Sequence, residues 1–252
     1  MGLNTILVTQ ARLGSTRLPN KVMLEINNKS LLEIHLERLK RVKEIDKIII
    51  ATTTNKLDEL IYNKSIKLGF DSYRGSEENV LDRFYNAVKD HNPKWIVRVT
   101  SDCPLIDPIL VDSVIQFVRN SNKDYGSNVL IEHFPDGQDI EVFKFSALKK
   151  AWLNAVLKSE LEHVTPFIKN NSDFNGKDMF SSVNFPCNKN YSKIRMTVDE
   201  KEDLKLIKVL VKNLGFKCTW QEYTDYIINN NLDNINKKII RNDGYINSLK
   251  ND

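Results

Sequence analysis

Short apolar runs and amphipathic segments alternate along the first half of the chain. The runs Thr5–Thr9, Lys47–Thr52 and Trp95–Thr100 are rich in β-branched residues and have the length of strands buried on both faces. Apolar residues also recur at helical spacing, and the predicted helices extend from Ser30 to Ile45, from about Leu57 to Leu68 and from Asn79 to Lys89. Repeated strand–helix units predict a doubly wound, mostly parallel α/β sheet.

Polar residues mark where several of these helices begin. Ser30 and Glu33 have the spacing of a capping box. Ser76 is available as a cap just upstream of the third helix. Asp107, followed by Pro108, predicts the start of a further helix, because Asp is a favoured N-cap and Pro is favoured at the first helical position.

The pattern becomes irregular in the second half of the chain. One predicted helix, starting at Ser146, lies among short β-like pieces at Ser127–Ile131, Ile140–Phe145 and Phe180–Phe185. A polar stretch, Lys169–Asp178, precedes the last piece. Irregular insertions of this kind often form a lid or an oligomer contact. We therefore predict one domain over residues 1–252 with an insertion at about 125–190.

Regular patterns return after this segment. A strand is predicted at Ile194–Val198, followed by an amphipathic helix that ends before Gly215. Thr219 and Glu222 have capping-box spacing at the start of one more helix. The tail after Asn230 is rich in Asn and Lys and is expected to pack loosely.

Composition and charge exclude several classes of protein. The 252 residues carry 37 basic and 33 acidic side chains, and a net charge of +4 is too small to indicate a nucleic-acid partner. The three cysteines lie far apart, which favours neither a disulfide framework nor a zinc site. The chain has no apolar stretch of about 20 residues and no signal segment, so we expect a cytoplasmic protein that does not bind membranes.

The segment from Gln10 to Lys21 follows the first predicted strand. In an open α/β sheet, ligands bind just past the carboxyl ends of strands. Gly14 lets the backbone approach a ligand closely, and loop amides can form an anion-binding nest. Arg12 and Lys21 can bind phosphate oxygens, whereas a solvated basic loop is the alternative without function. The spacing fits neither GxxxxGK[ST] nor GxGxxG.

Two aspartates also follow predicted strands. Asp102 comes after Trp95–Thr100, and Asp199 comes after Ile194–Val198. Either residue could simply cap a turn or a helix. Two carboxylates at the ends of neighbouring strands can instead share one Mg²⁺ above bound phosphates. The pair therefore predicts a magnesium site.

Taken in order, these motifs resemble those of the cytidylyltransferases that activate acidic sugars, the family of the CMP-Kdo and CMP-acylneuraminate synthetases. The resemblance is closest to the branch of the spore-coat polysaccharide protein SpsF, and it covers nearly the whole chain. It implies a Rossmann-like nucleotidyltransferase fold. The segments that carry it are Gln10–Lys21, Gly75–Arg83, Thr100–Asp107, Gly137–Phe143, Glu162–Pro166 and Val198–Leu204.

The resemblance implies roles for particular residues in binding CTP. The loop would hold the triphosphate, the backbone of Gln10 and Ala11 with the segment Arg74–Ser76 would face the cytosine, and Asp102 and Asp199 would carry Mg²⁺. The implied catalytic residues are Arg12, Lys21, Asp102 and Asp199. The implied nucleotide-binding residues are Gln10, Ala11, Arg12, Gly14, Ser15, Lys21, Arg74, Gly75, Ser76, Arg83 and Asp102.

The same resemblance implies an acceptor site and a homodimer. The insertion after Tyr125 would supply acceptor-sugar contacts and the interface between two copies. The implied acceptor-binding residues are Gln138, Asp139, Glu141, Glu162, His163 and Arg195. Ser101 stands where Kdo synthetases usually have Gly, and Glu200-Lys201 stands where they usually have Thr-Pro. Because both aspartates are retained, these differences concern the acceptor rather than the chemistry.

The implied reaction is an in-line attack of an acceptor oxygen on the α-phosphorus of CTP, with pyrophosphate leaving. Glu162 and His163 are the candidate general bases, and His163 could equally be an ordinary hydrogen-bonded residue. Two alternatives remain open. One is a nucleotidyltransferase with another acceptor, such as a sugar phosphate, and the other is an inactive regulatory homologue.

Overall fold

The computed structural model describes residues 4–15 and 17–252, and a seven-stranded sheet forms its centre. The strand order is β5-β4-β1-β6-β8-β7-β9, and the first four of these strands run parallel. The bounds are β1 Thr5–Gln10, β4 Lys47–Thr53, β5 Asp71–Gly75, β6 Trp95–Thr100, β7 Tyr125–Ser127, β8 Glu141–Lys144 and β9 Ser182–Asn184, with β2 Glu25–Ile26 and β3 Lys29–Ser30 in a separate hairpin. The predicted doubly wound, mostly parallel α/β fold is confirmed.

Helices cover the sheet, and the central strands are buried on both faces. In β1, Leu7 packs into one hydrophobic core, while Ile6 and Val8 pack into another on the opposite face. This alternation explains why β1 reads as a continuous apolar run. The α-helices are α1 Leu31–Leu39, α2 Glu59–Lys67, α3 Val80–Val88, α4 Pro108–Ser121, α5 Phe145–Asn154, α6 Lys158–His163, α7 Pro166–Asn170, α8 Lys201–Leu214, α9 Trp220–Asn229 and α10 Asp243–Leu249. No helix within the described residues is long and apolar enough to cross a membrane.

Several predicted helix ends are confirmed by their hydrogen bonds. Ser30 begins α1 with a complete capping box, and Thr219 does the same for α9. Asp107 caps α4 by accepting a hydrogen bond from the amide of Ile109. Two details differ. Helix α1 ends at Leu39 rather than Ile45, and Asn79 rather than Ser76 caps α3.

The segment from 125 to 190 extends the main sheet. Strand β8 pairs antiparallel with both β6 and β7, and β9 joins the edge parallel to β7. The predicted strand at Ile194–Val198 is wrong, because this extended segment makes only one isolated bridge, between Asp136 and Arg195. Its amides bond to loops instead, with Met196 donating to Asp136 and Val198 donating to Asp102.

The tail after Asn230 does not pack loosely. Asn236 is buried and donates to the carbonyl of Arg195 and to the Asp203 carboxylate. The carboxylate of Asp252 accepts hydrogen bonds from the amide and hydroxyl of Ser159 at the start of α6. The composition of the tail did not indicate this packing, because polar side chains make many of its contacts, in addition to those of Leu232 and Ile235 with the hydrophobic core.

We expect Gly137→Ala to lower the free energy of unfolding by roughly 3 kcal/mol. Gly137 has φ +100°, and an added Cβ would lie 2.6 Å from the amide nitrogen of Thr197. The matched control is Gly176→Ala, whose φ is +70° but whose Cβ would meet nothing within 4 Å. Urea unfolding of both variants separates the cost of backbone strain from that of the clash. Equal losses of unfolding free energy in the two variants would contradict a clash between the added Cβ and Thr197.

Candidate active site

A cavity of about 1260 Å³ opens at the carboxyl ends of β1 and β6. Gln10 lies at the end of one strand, and Thr100 with Asp102 lies at the end of the other. Pockets for a single small ligand are typically about 300–1,000 Å³, so this one has room for a nucleotide and a second molecule.

Lys21 links the two predicted metal-binding aspartates. Its Nζ donates to Asp102 Oδ2 at 2.9 Å and to Asp199 Oδ1 at 2.7 Å. A short 3₁₀ turn at Lys21–Met23 presents the ammonium, the loop after β6 presents Asp102, and the start of α8 presents Asp199. Three segments that are distant in sequence thus meet at one cluster.

The electrostatics of this cluster keep Lys21 and Asp102 charged. Burial opposes the ammonium, but Asp102 and Asp199 outweigh it and raise the pKa of Lys21 above its ordinary value. Burial also opposes the Asp102 carboxylate, yet the Lys21 ammonium holds the pKa of that carboxyl well below its usual range. A charge triplet of this kind can bind a polyanion through the cation and a metal ion through the carboxylates.

Arg195 fixes the other side of Asp199. Its guanidinium donates to Asp199 Oδ2 at 2.9 Å and to both oxygens of Asp203, and it also bonds Asp136. These carboxylates raise the pKa of Arg195 despite its burial. Arg195 was predicted to bind the acceptor, but three carboxylates already occupy it. It lines the cavity and orients Asp199, and its contact with an acceptor stays a prediction.

Buried side chains hold the loop that leads to Lys21. The Asp58 carboxylate accepts from the amide of Leu13 at 2.7 Å, and the hydroxyl of Ser101 donates to the carbonyl of Gln10 at 2.6 Å. Ser101 therefore ties the end of β6 to the end of β1. Neither contact was predicted, because each joins residues more than 40 positions apart.

His35 supports the loop that carries Asp102. It lies fully buried on α1, with Nδ1 2.9 Å from the carbonyl of Cys103 and Nε2 2.9 Å from the hydroxyl of Thr9. Since a carbonyl can only accept, Nδ1 carries the proton and Nε2 accepts from Thr9. Burial lowers the pKa of His35 to about 4, so the ring is neutral at pH 7. A single histidine on an apolar helix face gave no signal of this role.

The basic loop contributes two arginines to the cavity. Arg12 lies 3.6 Å from Glu77 and remains about half exposed. Arg17, which was not among the predicted site residues, lies within 3.7 Å of Asp199, Glu200 and Asp243. Gly14 and Ser15 also line the cavity, whereas Thr16, part of the predicted loop, lies outside the described residues.

The structure places the cytosine-facing segment differently from the prediction. Arg74, Gly75 and Ser76 do not line the cavity. The guanidinium of Arg74 donates to the carbonyls of residues 53, 54 and 55, so it braces the loop after β4. The Ser76 carbonyl accepts from Arg83, which does line the cavity, and burial lowers the pKa of Arg83 to about 10. Residues 74–76 therefore support the cavity only indirectly, through the contact between Ser76 and Arg83.

The predicted backbone contacts at the end of β1 are also changed. The Ala11 amide donates to the carbonyl of Ala51 at 3.2 Å, and the Gln10 carbonyl accepts from Ser101. These two groups are therefore used within the protein rather than offered to a base. The side-chain Oε1 of Gln10 is buried without a hydrogen-bond partner among the described residues, and Gln10 lines the cavity.

Most of the predicted acceptor residues line the far side of the cavity, but Gln138 does not. Gln138 is fully buried, accepts from the amide of Asp107 and donates to the carbonyl of Leu105. It links the two loops beneath the site, and we withdraw it as an acceptor contact. Asp139 does line the cavity and pairs with Arg241 at 2.9 Å.

Glu141 is a cavity residue with a full set of partners. It accepts from Arg98, from the hydroxyl of Tyr125 at 2.7 Å and from the hydroxyl of Thr165 at 2.6 Å. Burial opposes its charge, but these donors lower its pKa below the ordinary value. Glu141 therefore joins β8 to the segment at Thr165 as a permanent carboxylate.

Backbone strain marks the turn beside His163. Val164 is fully buried with φ 72° and ψ −54°, and the Thr165 amide donates to the His163 carbonyl at 2.9 Å. This is a γ-turn, and positive φ is costly for a β-branched residue. The turn places both His163 and Thr165 in the cavity wall. Burial and Arg98 lower the pKa of His163 to about 4, and its Nε2 has no hydrogen-bond partner among the described residues.

The sequence of the chain matches the cytidylyltransferase family model over residues 6–237. It is 35% identical to the spore coat polysaccharide biosynthesis protein SpsF of Bacillus subtilis, over 84% of this chain and 89% of that protein. This chain belongs to the cytidylyltransferase family. The resemblance inferred from its motifs is confirmed.

Two further comparisons agree that this chain is a cytidylyltransferase. It is 24% identical to the 3-deoxy-manno-octulosonate cytidylyltransferase of Thermodesulfovibrio yellowstonii, over 88% of this chain and 92% of that protein. It also superposes on the structure of a cytidylyltransferase from Leptospira borgpetersenii with a TM-score of 0.83 and 28% identity, covering 94% and 98% of the two chains. The cytidylyltransferase is therefore an enzyme that uses CTP.

We expect acid to destabilise this cytidylyltransferase partly through His35. Because the folded pKa of about 4 lies below the unfolded value of 6.5, the unfolded state binds the proton more tightly, and stability is lost as pH falls from about 6.5 towards 4. Between pH 7 and pH 4.5, the wild type should lose about 2 kcal/mol more than His35→Gln. Urea unfolding at both pH values measures this, with His91→Gln as control. Equal losses of unfolding free energy in the wild type and His35→Gln would contradict this role of His35.

Proposed function

We propose that this cytidylyltransferase transfers CMP from CTP to a sugar acid and releases pyrophosphate. The observation that carries the proposal is the Lys21 ammonium held between the Asp102 and Asp199 carboxylates at the carboxyl edge of the sheet. The surrounding cavity, at about 1260 Å³, is large enough for both reactants.

In the proposed step, an acceptor hydroxyl oxygen forms a bond to the α-phosphorus of CTP. The bond from that phosphorus to the oxygen of the β-phosphate breaks, and its electron pair leaves with pyrophosphate while the acceptor proton is lost to a base or water. Lys21, Arg12 and Arg17 supply positive charge on one loop, where it offsets the charge of the triphosphate. Catalysis rests on positioning and charge neutralisation.

Asp102 and Asp199 fit the proposed magnesium ion. Their carboxylates already converge on a single cationic nitrogen within 2.9 Å, so they lie close enough to share another cation. Mg²⁺ prefers hard oxygen ligands and commonly takes one or two carboxylates, with phosphates and waters completing its shell. When bound, the ion would neutralise phosphate charge. Arg195 keeps Asp199 oriented towards it.

The charges on the acceptor side favour an acid. Lys158 and Lys169 line the cavity on α6 and α7. Glu162, also on α6, lines the same cavity. The two lysine ammonium groups offer positive charge that can pair with an anionic acceptor. The names of the relatives support the same choice.

Some expectations remain predictions. These are the homodimer through the segment after Tyr125, the cytoplasmic location and the absence of nucleic-acid and membrane partners. A sugar phosphate would also satisfy the positive charge on the acceptor side. The acceptor experiment below therefore includes both classes of anion.

We expect CTP to protect the protein from thermal unfolding more than ATP, GTP or UTP does. Ligand binding to the folded state adds RT ln(1 + [L]/Kd), which is about 2.7 kcal/mol at a hundredfold excess. Thermal shift with each nucleotide and Mg²⁺ tests which nucleotide the protein prefers.

Pyrophosphate release from CTP, measured with 3-deoxy-manno-octulosonate, N-acetylneuraminate and several sugar phosphates, tests which acceptor it uses. An equal shift with a purine nucleotide, or release with sugar phosphates alone, would overturn the corresponding part of the proposal.

We expect Asp102→Asn and Asp199→Asn each to lower kcat/KM by at least about tenfold, equal to about 1.4 kcal/mol. Asn keeps the shape but removes the charge that would hold the ion, so higher Mg²⁺ or Mn²⁺ should restore part of the activity. Because both carboxylates would act on one ion, the double variant should be scarcely worse than the weaker single variant.

The control for this pair is Asp225→Asn, on the exposed face of α9. It should retain wild-type kcat/KM. If Asp199→Asn were fully active but melted at a lower temperature, Asp199 would serve only the start of α8.

A further inference from the structure

The C-terminal tail forms part of the cavity wall although it lies beyond the segment that matches the family model. That match ends at residue 237. The lining residues that the tail contributes are Asn242, Asp243, Gly244, Tyr245 and Asn247. A segment outside the shared pattern is therefore in a position to give this protein a property of its own.

The start of the tail is attached to the acceptor side of the cavity. Arg241 donates to the carbonyl of Phe134 at 3.1 Å and to Asp139 at 2.9 Å. The side-chain amide of Asn242 donates to Glu132 at 2.7 Å. These bonds involve the loop before β8, which belongs to the acceptor side rather than to the phosphate loop.

Two contacts carry the tail across the cavity. Asp243 lies 3.6 Å from Arg17 in the phosphate loop. The Tyr245 ring then packs edge-on against His163, with the ring centroids 5.1 Å apart. The Asp252 carboxylate completes the crossing by binding Ser159 at the start of α6. The strained turn at Val164 and the tail thus both act on the position of His163.

We propose that residues 241–247 form the acceptor-specificity wall, and that Tyr245 and Asn247 select which acceptor fits against His163. The proposal rests on the proposed function. The Asn247 side chain donates to Asp243 at 3.2 Å and accepts from Lys250 at 3.1 Å, which leaves one N–H and one oxygen lone pair for sugar hydroxyls. Tyr245 sets the width of the site by filling the space beside the histidine ring. Neither residue is assigned a part in binding CTP.

The experiment compares full-length variants with 3-deoxy-manno-octulosonate and N-acetylneuraminate as acceptors. Asn247→Ala and Tyr245→Ala should each raise the acceptor KM about tenfold, as expected for the loss of one well-placed contact, while the KM for CTP stays within about twofold. Tyr245→Phe keeps the ring against His163 and should retain most of the wild-type preference between the two acids.

The matched control is Asn251→Ala. Asn251 lies four residues after Asn247 and does not line the cavity, and its side-chain amide donates to the Asn247 carbonyl. It should leave both KM values unchanged. A second measurement follows amide hydrogen exchange in the tail, which should slow when acceptor is added to the CTP complex.

The outcomes separate the two proposals. If the wild type transfers CMP but Asn247→Ala and Tyr245→Ala behave like Asn251→Ala, only the specificity wall is overturned. Equal rises in both KM values would also overturn it, because the tail would then act on the whole cavity. If the wild type is stabilised by CTP but uses neither acid, the acceptor part of the proposed function is overturned, and the wall with it.

Discussion

The site depends on one ammonium group that keeps two carboxylates together. Without Lys21, Asp102 and Asp199 would repel each other across a partly buried gap. Asp199 is further held by Arg195, which itself needs Asp136 and Asp203 to offset the cost of burial. Alternating charges therefore connect the phosphate loop, the end of β6 and the start of α8. The same arrangement that stabilises the fold also prepares the site for anions and cations.

Around this centre, buried hydrogen bonds to backbone groups hold the loops in position. His35 supports the loop of Asp102 from behind, and Asp58 holds the loop of Lys21. On the other side of the cavity, the strained residue Val164 turns His163 into the wall. Strain of this kind persists only where the surrounding structure fixes the backbone, and it concentrates at functional sites. The surrounding structure thus fixes the backbone on the acceptor side of the cavity as well as on the nucleotide side.

Local sequence patterns predicted the elements that depend on local physics. The runs that became β1, β4 and β6 are apolar because both faces are buried, and the caps at Ser30 and Thr219 need only residues three positions apart. The strand predicted at Ile194–Val198 failed because strand pairing depends on a distant partner. Here the amides of that segment bond to loops.

The sequence by itself determined the fold class, the basic loop and the two aspartates, since apolar periodicity and turn residues record local preferences. Tertiary structure alone decided that Lys21 joins those aspartates and that Arg195 holds Asp199. It also decided that Gln138 lies beneath the site and that the polar tail forms its wall. These outcomes depend on contacts between residues far apart in the chain. Charge and hydrogen-bond complementarity across such distances leaves no periodic trace in the sequence.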